Sequence, residues 1–289
     1  MRRFFIVDVF AEQRYEVNQL AVVLDCEGLT TEGMQAIARE MNYSETTFII
    51  DADEARVRIF TPGEEVPFAG HPTLGTAFII QQEILKTEVP QLAIKVPAGT
   101  IPVTFSYVGG VPDVLWMRQL HPAFGRTIDP GAMAELLNIS VSDLDSEFLI
   151  QEVSTGLPFI IVPLKSLDAC RRARPQGPDL LRFVAHYEAK NILVFTLETC
   201  KPENQLHVRV FTDYLGIPED PATGSANGCL AAYLTRYQYF GCGPLEARVE
   251  QGYEMGRPSL LLLRGQSSNG DIIVDVGGRV IPVASGMLL

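Results

Sequence analysis

Apolar residues fall along this chain mostly in short runs broken by Gly, Pro and acidic turns, and only a few stretches carry helical spacing. Residues 3–9 and 20–24 predict strands, as do residues 46–50 and 55–61, which are rich in β-branched and aromatic side chains. Between them, residues 31–42 place Met34, Ile37, Ala38 and Met41 on one helical face, with Thr31 as the expected N-cap. A second helix is expected from about His71 to Ile84, followed by three strands in "QLAIKVP", "GTIPVTFSY" and "DVLWMRQ". After about residue 125 the order starts again. A short capped helix (129–139) links to a strand (158–164), a helix (177–189) and the strands "NILVFTL" and "LHVRVFT". Another apolar helix covers about 221–236, and "LEARVEQG", "SLLLLRG" and "DIIVDVGG" are strands.

The order β-α-β-β-α-β-β thus occurs twice, which predicts an internal duplication. Two matched blocks support it. Arg58-Ile59-Phe60-Thr61 corresponds to Arg209-Val210-Phe211-Thr212, and downstream "HPTLGTA" (71–77) corresponds to "DPATGSA" (220–226). The two helices that follow are apolar on almost every side, so each is expected at the buried centre of its own half.

Composition narrows the class. A chain of 289 residues, 47% hydrophobic and 20% charged, can bury the cores of two ordinary domains. A net charge of −12 argues against nucleic acid or an anionic membrane as partner, since both require clustered Lys and Arg. Asp8 interrupts the apolar N-terminus, which is therefore expected to be a strand rather than a signal peptide, and no run approaches the roughly 18 apolar residues of a membrane span. Five cysteines without a CxxC spacing fit reduced thiols in a cytoplasmic protein, with neither a zinc site nor a disulfide framework.

The candidate chemistry sits where the duplication places polar residues. His71 and Asp220 occupy matching positions, each before a proline, so both are expected at or near the N-cap of a buried helix. The first turns of such helices offer unpaired N–H groups and the positive end of the dipole, and Gly70, Gly75, Thr76, Gly224 and Ser225 would let an anion approach. If the halves face each other, a substrate carboxylate could lie between the two helix starts, touching N–H groups around Gly70–Thr73 and Gly224–Ser225. Asp220 also suits a purely capping role. Glu45, between the first helix and a buried strand, could be partly desolvated and so suited to giving and taking a proton; a solvated turn glutamate is the alternative.

The stretches "REMNYSETTFI" (39–49), "RIFTPGEEVPFAGHPTLGTA" (58–77), "EDPATGSANG" (219–228) and "QGYEMGRPS" (251–259) together resemble the phenazine-biosynthesis isomerase family (PhzF-like), part of the diaminopimelate epimerase-like superfamily. The resemblance implies an α+β fold of two pseudo-symmetric lobes, each a rolled, mostly antiparallel, barrel-like sheet around a central helix. The lobes would be residues 1–127 and 128–289, with the last strand free to return to the first. It implies a homodimeric isomerase without cofactor or metal, acting on a small carboxylate-bearing cyclic amino or hydroxy acid such as trans-2,3-dihydro-3-hydroxyanthranilate. Glu45 matches the family's main acid/base, His71 and Asp220 support it, and substrate contacts are expected from Asn18, Ser44, Gly70, Thr73, Gly224 and Ser225. Two alternatives stay open: an epimerase or racemase of another amino-acid-like compound, and a catalytically silent small-molecule-binding relative. Racemases of the superfamily carry a cysteine at each helix start; here Cys229 falls inside the second helix and Cys242 after a turn, which disfavours two-thiol chemistry. Many relatives have Gly-Asn-Pro where this chain has Val17-Asn18-Gln19, a departure that bears on one wall of the site. Gln251 and Arg257 either approach the site or simply connect strands.

Overall fold

The runs of Val, Ile, Phe and Thr fold as strands, and the computed structural model describes residues 1–16 and 18–289 as a mixed α/β structure rich in strands and poor in helices. It divides into two compact units, residues 1–118 with 277–289 and residues 119–276. No helix among the described residues is long and apolar enough to cross a membrane.

In chain order the first unit comprises β1 (Arg2–Val9), β2 (Gln19–Val23), α1 (Thr31–Met41), β3 (Glu45–Asp51), β4 (Arg56–Phe60), β5 (Glu65–Val66), α2 (Gly70–Ile79), β6 (Gln91–Val96), β7 (Gly99–Val108) and β8 (Val111–Arg118). The second comprises β9 (Ala123–Thr127), α3 (Pro130–Leu137), β10 (Gln151–Ser154), β11 (Pro158–Pro163), α4 (Leu167–Arg172), α5 (Gly177–Val184), β12 (Asn191–Thr196), β13 (Leu206–Phe211), β14 (Glu219–Asp220), α6 (Gly224–Arg236), β15 (Leu245–Gln251) and β16 (Ser259–Ser268). Strand β17 (Asp271–Gly278) carries the chain back to the first unit, which β18 (Val280–Leu288) completes by pairing with β1. Residues 119–127 belong with the second unit, where β9 pairs with β10.

The succession of pairings is the same in both units. In the first, β1–β2 is antiparallel, β2–β3 parallel, β3–β4 and β4–β5 antiparallel, β4–β6 parallel and β6–β7 antiparallel. In the second, β10–β11, β11–β12, β12–β13, β13–β14, β13–β15 and β15–β16 repeat that order of directions. Each parallel pair requires a crossover, and helices supply it: α1 and α2 in one unit, α4 with α5 and then α6 in the other.

The Arg-x-Phe-Thr blocks do the same work twice. Register sets Phe60 opposite Glu65 and Phe211 opposite Glu219. Both nitrogens of the Arg58 fork donate to Glu65, and those of Arg209 donate to Glu219 at 2.9 and 2.8 Å. The guanidinium groups lie over Phe60 and Phe211, 5.1 and 4.9 Å from the ring centroids. The threonines close the turns, Thr61 Oγ1 donating to Glu64 O at 3.0 Å and Thr212 Oγ1 to Ile217 O at 2.9 Å. Each block therefore fixes the hairpin that leads into a central helix.

Those helices are buried, as an all-round apolar helix must be. Every residue of α2 is buried, against β1, β2, β3, β6, β7, β8 and β18, and α6 packs on β10, β11, β15 and β16. Two small residues of α2 face the sheet instead of a ligand, contrary to the sequence expectation. A Cβ on Gly75 would lie 2.5 Å from Leu20 Cδ2 and 3.1 Å from Val7 Cγ2, and Thr76 Oγ1 donates to Thr47 Oγ1 at 2.8 Å. Gly75 thus lets the helix and β2 approach closely. Helix ends also differ from expectation: Thr30, not Thr31, caps α1, and α2 passes into a π-helical turn over Ile80–Leu85.

Candidate active site

The parallel pairing of β2 with β3 sets Leu20 beside Glu45, so both strands begin at the same end. Asn18 immediately precedes β2, Ser44 immediately precedes β3, which Glu45 opens, and His71 is the second residue of α2. The fold of the first unit thereby gathers four of the residues singled out in the sequence. Ser44 Oγ donates to Asn18 Oδ1 at 2.9 Å, which leaves the Asn18 amide nitrogen to face His71 Nδ1 at 3.4 Å. An amide N–H can only donate, so Nδ1 is the acceptor and the imidazole proton resides on Nε2. His71 Nε2 lies 3.3 Å from Glu45 Oε2, close but too poorly aligned for a hydrogen bond in this geometry. Burial pushes His71 down to about 3, so the ring is neutral across the physiological range, and the positive end of α2 disfavours an imidazolium in the same sense.

Gly70 opens α2 and is buried; Thr73 turns its hydroxyl back onto Ala69 O at 2.8 Å. Neither α2 nor α6 has a side-chain cap, whereas Thr30, Asp129 and Ser166 cap α1, α3 and α4. The first-turn N–H groups of both central helices therefore have no partner within the helix or from a cap, the condition under which a helix start binds anions. Val17, expected to reshape one wall of the site, lies outside the described residues.

Asp220 is placed differently from His71. It lies in β14, opposite Val210, and four residues before α6 begins at Gly224. The expectation that Pro221 starts the helix and Asp220 caps it is thus corrected. Thr223 occupies the N-cap position with extended backbone, and its hydroxyl donates to Asp220 Oδ2 at 2.6 Å instead of accepting from the helix. Gly224 and the half-buried Ser225 form the first two residues of α6. Gln251, at the end of β15, is fully buried and packs its amide against this loop; Arg257 closes the turn after it with an N–H to Gly252 O at 2.9 Å. The side chains of Thr223 and Gln251 are the contributors that local sequence did not single out as partners of Asp220.

Elsewhere in the second unit, His207 is wedged between Glu250 and Glu254, Nδ1 at 2.8 Å from one and Nε2 at 3.1 Å from the other. Burial would lower His207, but the two carboxylates outweigh it and hold it above its ordinary value. Cys200, His207 and Glu250 have the donor types for a metal ion. However, both ring nitrogens serve carboxylates, and Glu250 also accepts from Cys200 N, Lys201 N and Asn204 Nδ2, so the group reads as a buried ion network. Cys229 lies inside α6, its thiol pushed up to about 11 by burial, and Cys242 is exposed.

With this geometry in hand, comparison with known proteins is specific. The family profile described as "Phenazine biosynthesis-like protein" matches residues 7–286. An uncharacterized isomerase of Mesorhizobium japonicum is 33% identical, over 99% of this chain and 98% of its own length. A protein of Pseudomonas aeruginosa named trans-2,3-dihydro-3-hydroxyanthranilate isomerase is also 33% identical, over 99% of each chain. Among solved structures, the Bacillus anthracis phenazine biosynthesis protein of the PhzF family matches with a TM-score of 0.89 at 31% identity, covering 100% of this chain and 99% of that one.

Proposed function

Since the chain belongs to the phenazine biosynthesis-like protein family, we propose that it is an isomerase that moves a proton within a small carboxylate-bearing cyclic amino or hydroxy acid, with trans-2,3-dihydro-3-hydroxyanthranilate as the first substrate to try. The observation that carries the reading is the Ser44–Asn18–His71–Glu45 cluster at the common end of β2, β3 and α2. Glu45 is the acid/base residue: its carboxylate takes a proton from one carbon, the double bond shifts, and the same carboxyl returns a proton to another carbon. One C–H bond breaks and one forms, with no change of oxidation state. Neutral His71, with Nε2 3.3 Å from Glu45 Oε2, favours the carboxylate form with which the cycle begins and ends; between the two transfers Glu45 is the neutral acid. Asp220 is the second acid/base group. Each uncapped helix start offers N–H groups suited to a substrate carboxylate, α2 with Gly70 and Thr73 in the first unit and α6 with Gly224 and Ser225 in the second.

The shared succession of strand pairings supports reading each unit as a barrel-like sheet rolled around its central helix, the two units being pseudo-symmetric copies. The protein acts as a homodimer in the cytoplasm, a setting that suits five thiols outside any disulfide. Sedimentation velocity tests the dimer.

Incubating the protein with trans-2,3-dihydro-3-hydroxyanthranilate in deuterium oxide tests the chemistry. Isomerised product carrying solvent deuterium on carbon is expected. Exchange at the α-carbon without a double-bond shift, on this or another cyclic amino acid, would move the reading to an epimerase. Neither exchange nor turnover would leave a binding protein.

A further inference from the structure

Thr223 stands at the N-cap of α6, where a threonine hydroxyl ordinarily accepts from the helix N–H groups, yet it caps nothing. The reason lies in Gln251. The Gln251 amide oxygen accepts from Asn227 Nδ2 at 2.9 Å and from Thr223 N at 3.3 Å. Its nitrogen therefore points the other way, donating to Asp220 O at 2.7 Å and to Thr223 Oγ1 at 3.0 Å. The flipped amide would set its oxygen against the Asp220 carbonyl oxygen, which fixes the assignment. With its oxygen already accepting from Gln251, the Thr223 hydroxyl has one proton to place, and Asp220 Oδ2 at 2.6 Å receives it.

The surroundings make this chain rigid. Gln251 and Asn227 are fully buried. The parallel register of β13 and β15 sets Gln251 opposite Val208, two residues along β13 from Val210, the partner of Asp220. Ser259 Oγ lies 3.0 Å from both Pro221 O and Gln251 O and ties the loop to the end of β15. A Cβ at Gly252 would fall 2.7 Å from Pro221 O, so the two segments touch as closely as backbone allows. On the other side, Glu219 is held by the Arg209 fork.

We infer that Gln251 and Thr223 are positioning residues for Asp220: Gln251 sets the direction of the Thr223 hydroxyl, which in turn orients the Asp220 carboxyl and favours its ionised, proton-accepting form. This inference rests on the reading of Asp220 as an acid/base group. It also assigns Gln251 a task in turnover, distinct from connecting two strands.

The test uses the full-length protein and trans-2,3-dihydro-3-hydroxyanthranilate. T223V removes the hydroxyl at constant shape, and kcat should fall roughly ten- to hundredfold with KM within about twofold. T223S restores the hydroxyl and should restore kcat. Q251E offers an acceptor where the amide nitrogen was, so the Thr223 hydroxyl turns away from Asp220 and kcat should drop to the T223V level. Because both changes act through one hydroxyl, the double variant should be about as active as either single one. A spectroscopic readout needs no substrate: the 13Cγ resonance of Asp220, assigned with D220N, should move in T223V and Q251E and return in T223S. An unmoved resonance in T223V, or normal kcat in T223V alongside an impaired D220N, overturns the inference and leaves the functional reading standing. D220N with full activity removes the role of Asp220 itself, and the inference with it.

Discussion

His71 and Asp220 share a sequence motif but not a backbone. His71 lies inside the first turn of α2, buried, neutral and reached by an amide from Asn18. Asp220 lies in a strand four residues before α6, with its carboxyl reached by a hydroxyl from Thr223. Both arrangements arise at the end of the same hairpin, fixed by the same Arg–Glu fork. The difference shows how one scaffold can supply two unlike groups. In the first unit the polar residue is carried into the helix and loses its charge by desolvation; in the second it is kept out of the helix, where a side-chain donor can hold the charged form.

The largest effect should come from the first unit. E45Q keeps size and polarity but cannot take a proton, and turnover should fall roughly 10²- to 10⁴-fold with little change in binding. H71N and D220N should each cost less than E45Q. Steady-state kinetics on all three orders them, and a D220N loss exceeding that of E45Q would reverse the assignment of the main acid/base.

The hairpin forks sharpen the comparison through stability. The Arg209 side chain is 5% exposed and that of Arg58 27%. R209M leaves Glu219 partly buried without its partner and should cost roughly 3–5 kcal/mol, the range for breaking a buried pair. R58M, nearer the solvent, should cost roughly 1 kcal/mol. Urea unfolding of the two variants measures both. Equal losses would mean that the two hairpins do not differ in burial as described.

N18D tests the tautomer. An aspartate would accept from Nδ1–H, draw the imidazole proton away from Nε2 and turn a lone pair toward Glu45. Activity should fall roughly tenfold or more, while N18D remains folded by circular dichroism. Unchanged activity would detach Asn18 from His71.

The smallest effect concerns acid stability of the second unit. Burial alone would raise Glu250, but His207 and the N–H donors of Cys200, Lys201 and Asn204 hold it down at about 2, against an ordinary 4.5. The unfolded chain then takes up this proton first as pH falls. The contribution is complete above about 4.5 and is lost progressively as pH falls to about 2. Melting temperature against pH should show that decline in the native protein and a shallower one in E250Q; parallel curves would contradict it.

Much of this was legible in the sequence. Alternating and β-branched runs located most of the longer strands, and the all-round apolar helices located the two centres. The repeated Arg-x-Phe-Thr pointed to an internal duplication, though not to the hairpins that the two blocks form. The duplication pointed to His71 and the junction before a buried strand to Glu45, but Asn18 was legible only through the family resemblance, because the parallel pairing of β2 and β3 that brings these residues together is a long-range contact with no local signature. Strands β5 and β14, two residues each, are too short to show a period. The pairing of Gln251 with Thr223 spans 28 residues and depends on the β13–β15 register. The start of α6 was misplaced because Asp-Pro reads as a helix opening wherever a side chain is free to cap; here the threonine that follows is turned back onto the aspartate.

His71 is a neutral ring with its proton on the nitrogen nearer Glu45, and 15N NMR of the imidazole reads that directly. Between pH 5 and 8 the ring should stay uncharged, with the proton on Nε2 and an unprotonated Nδ1 facing Asn18. An imidazolium at neutral pH, or a proton on Nδ1, would contradict it and return the proton carrier's role to the histidine.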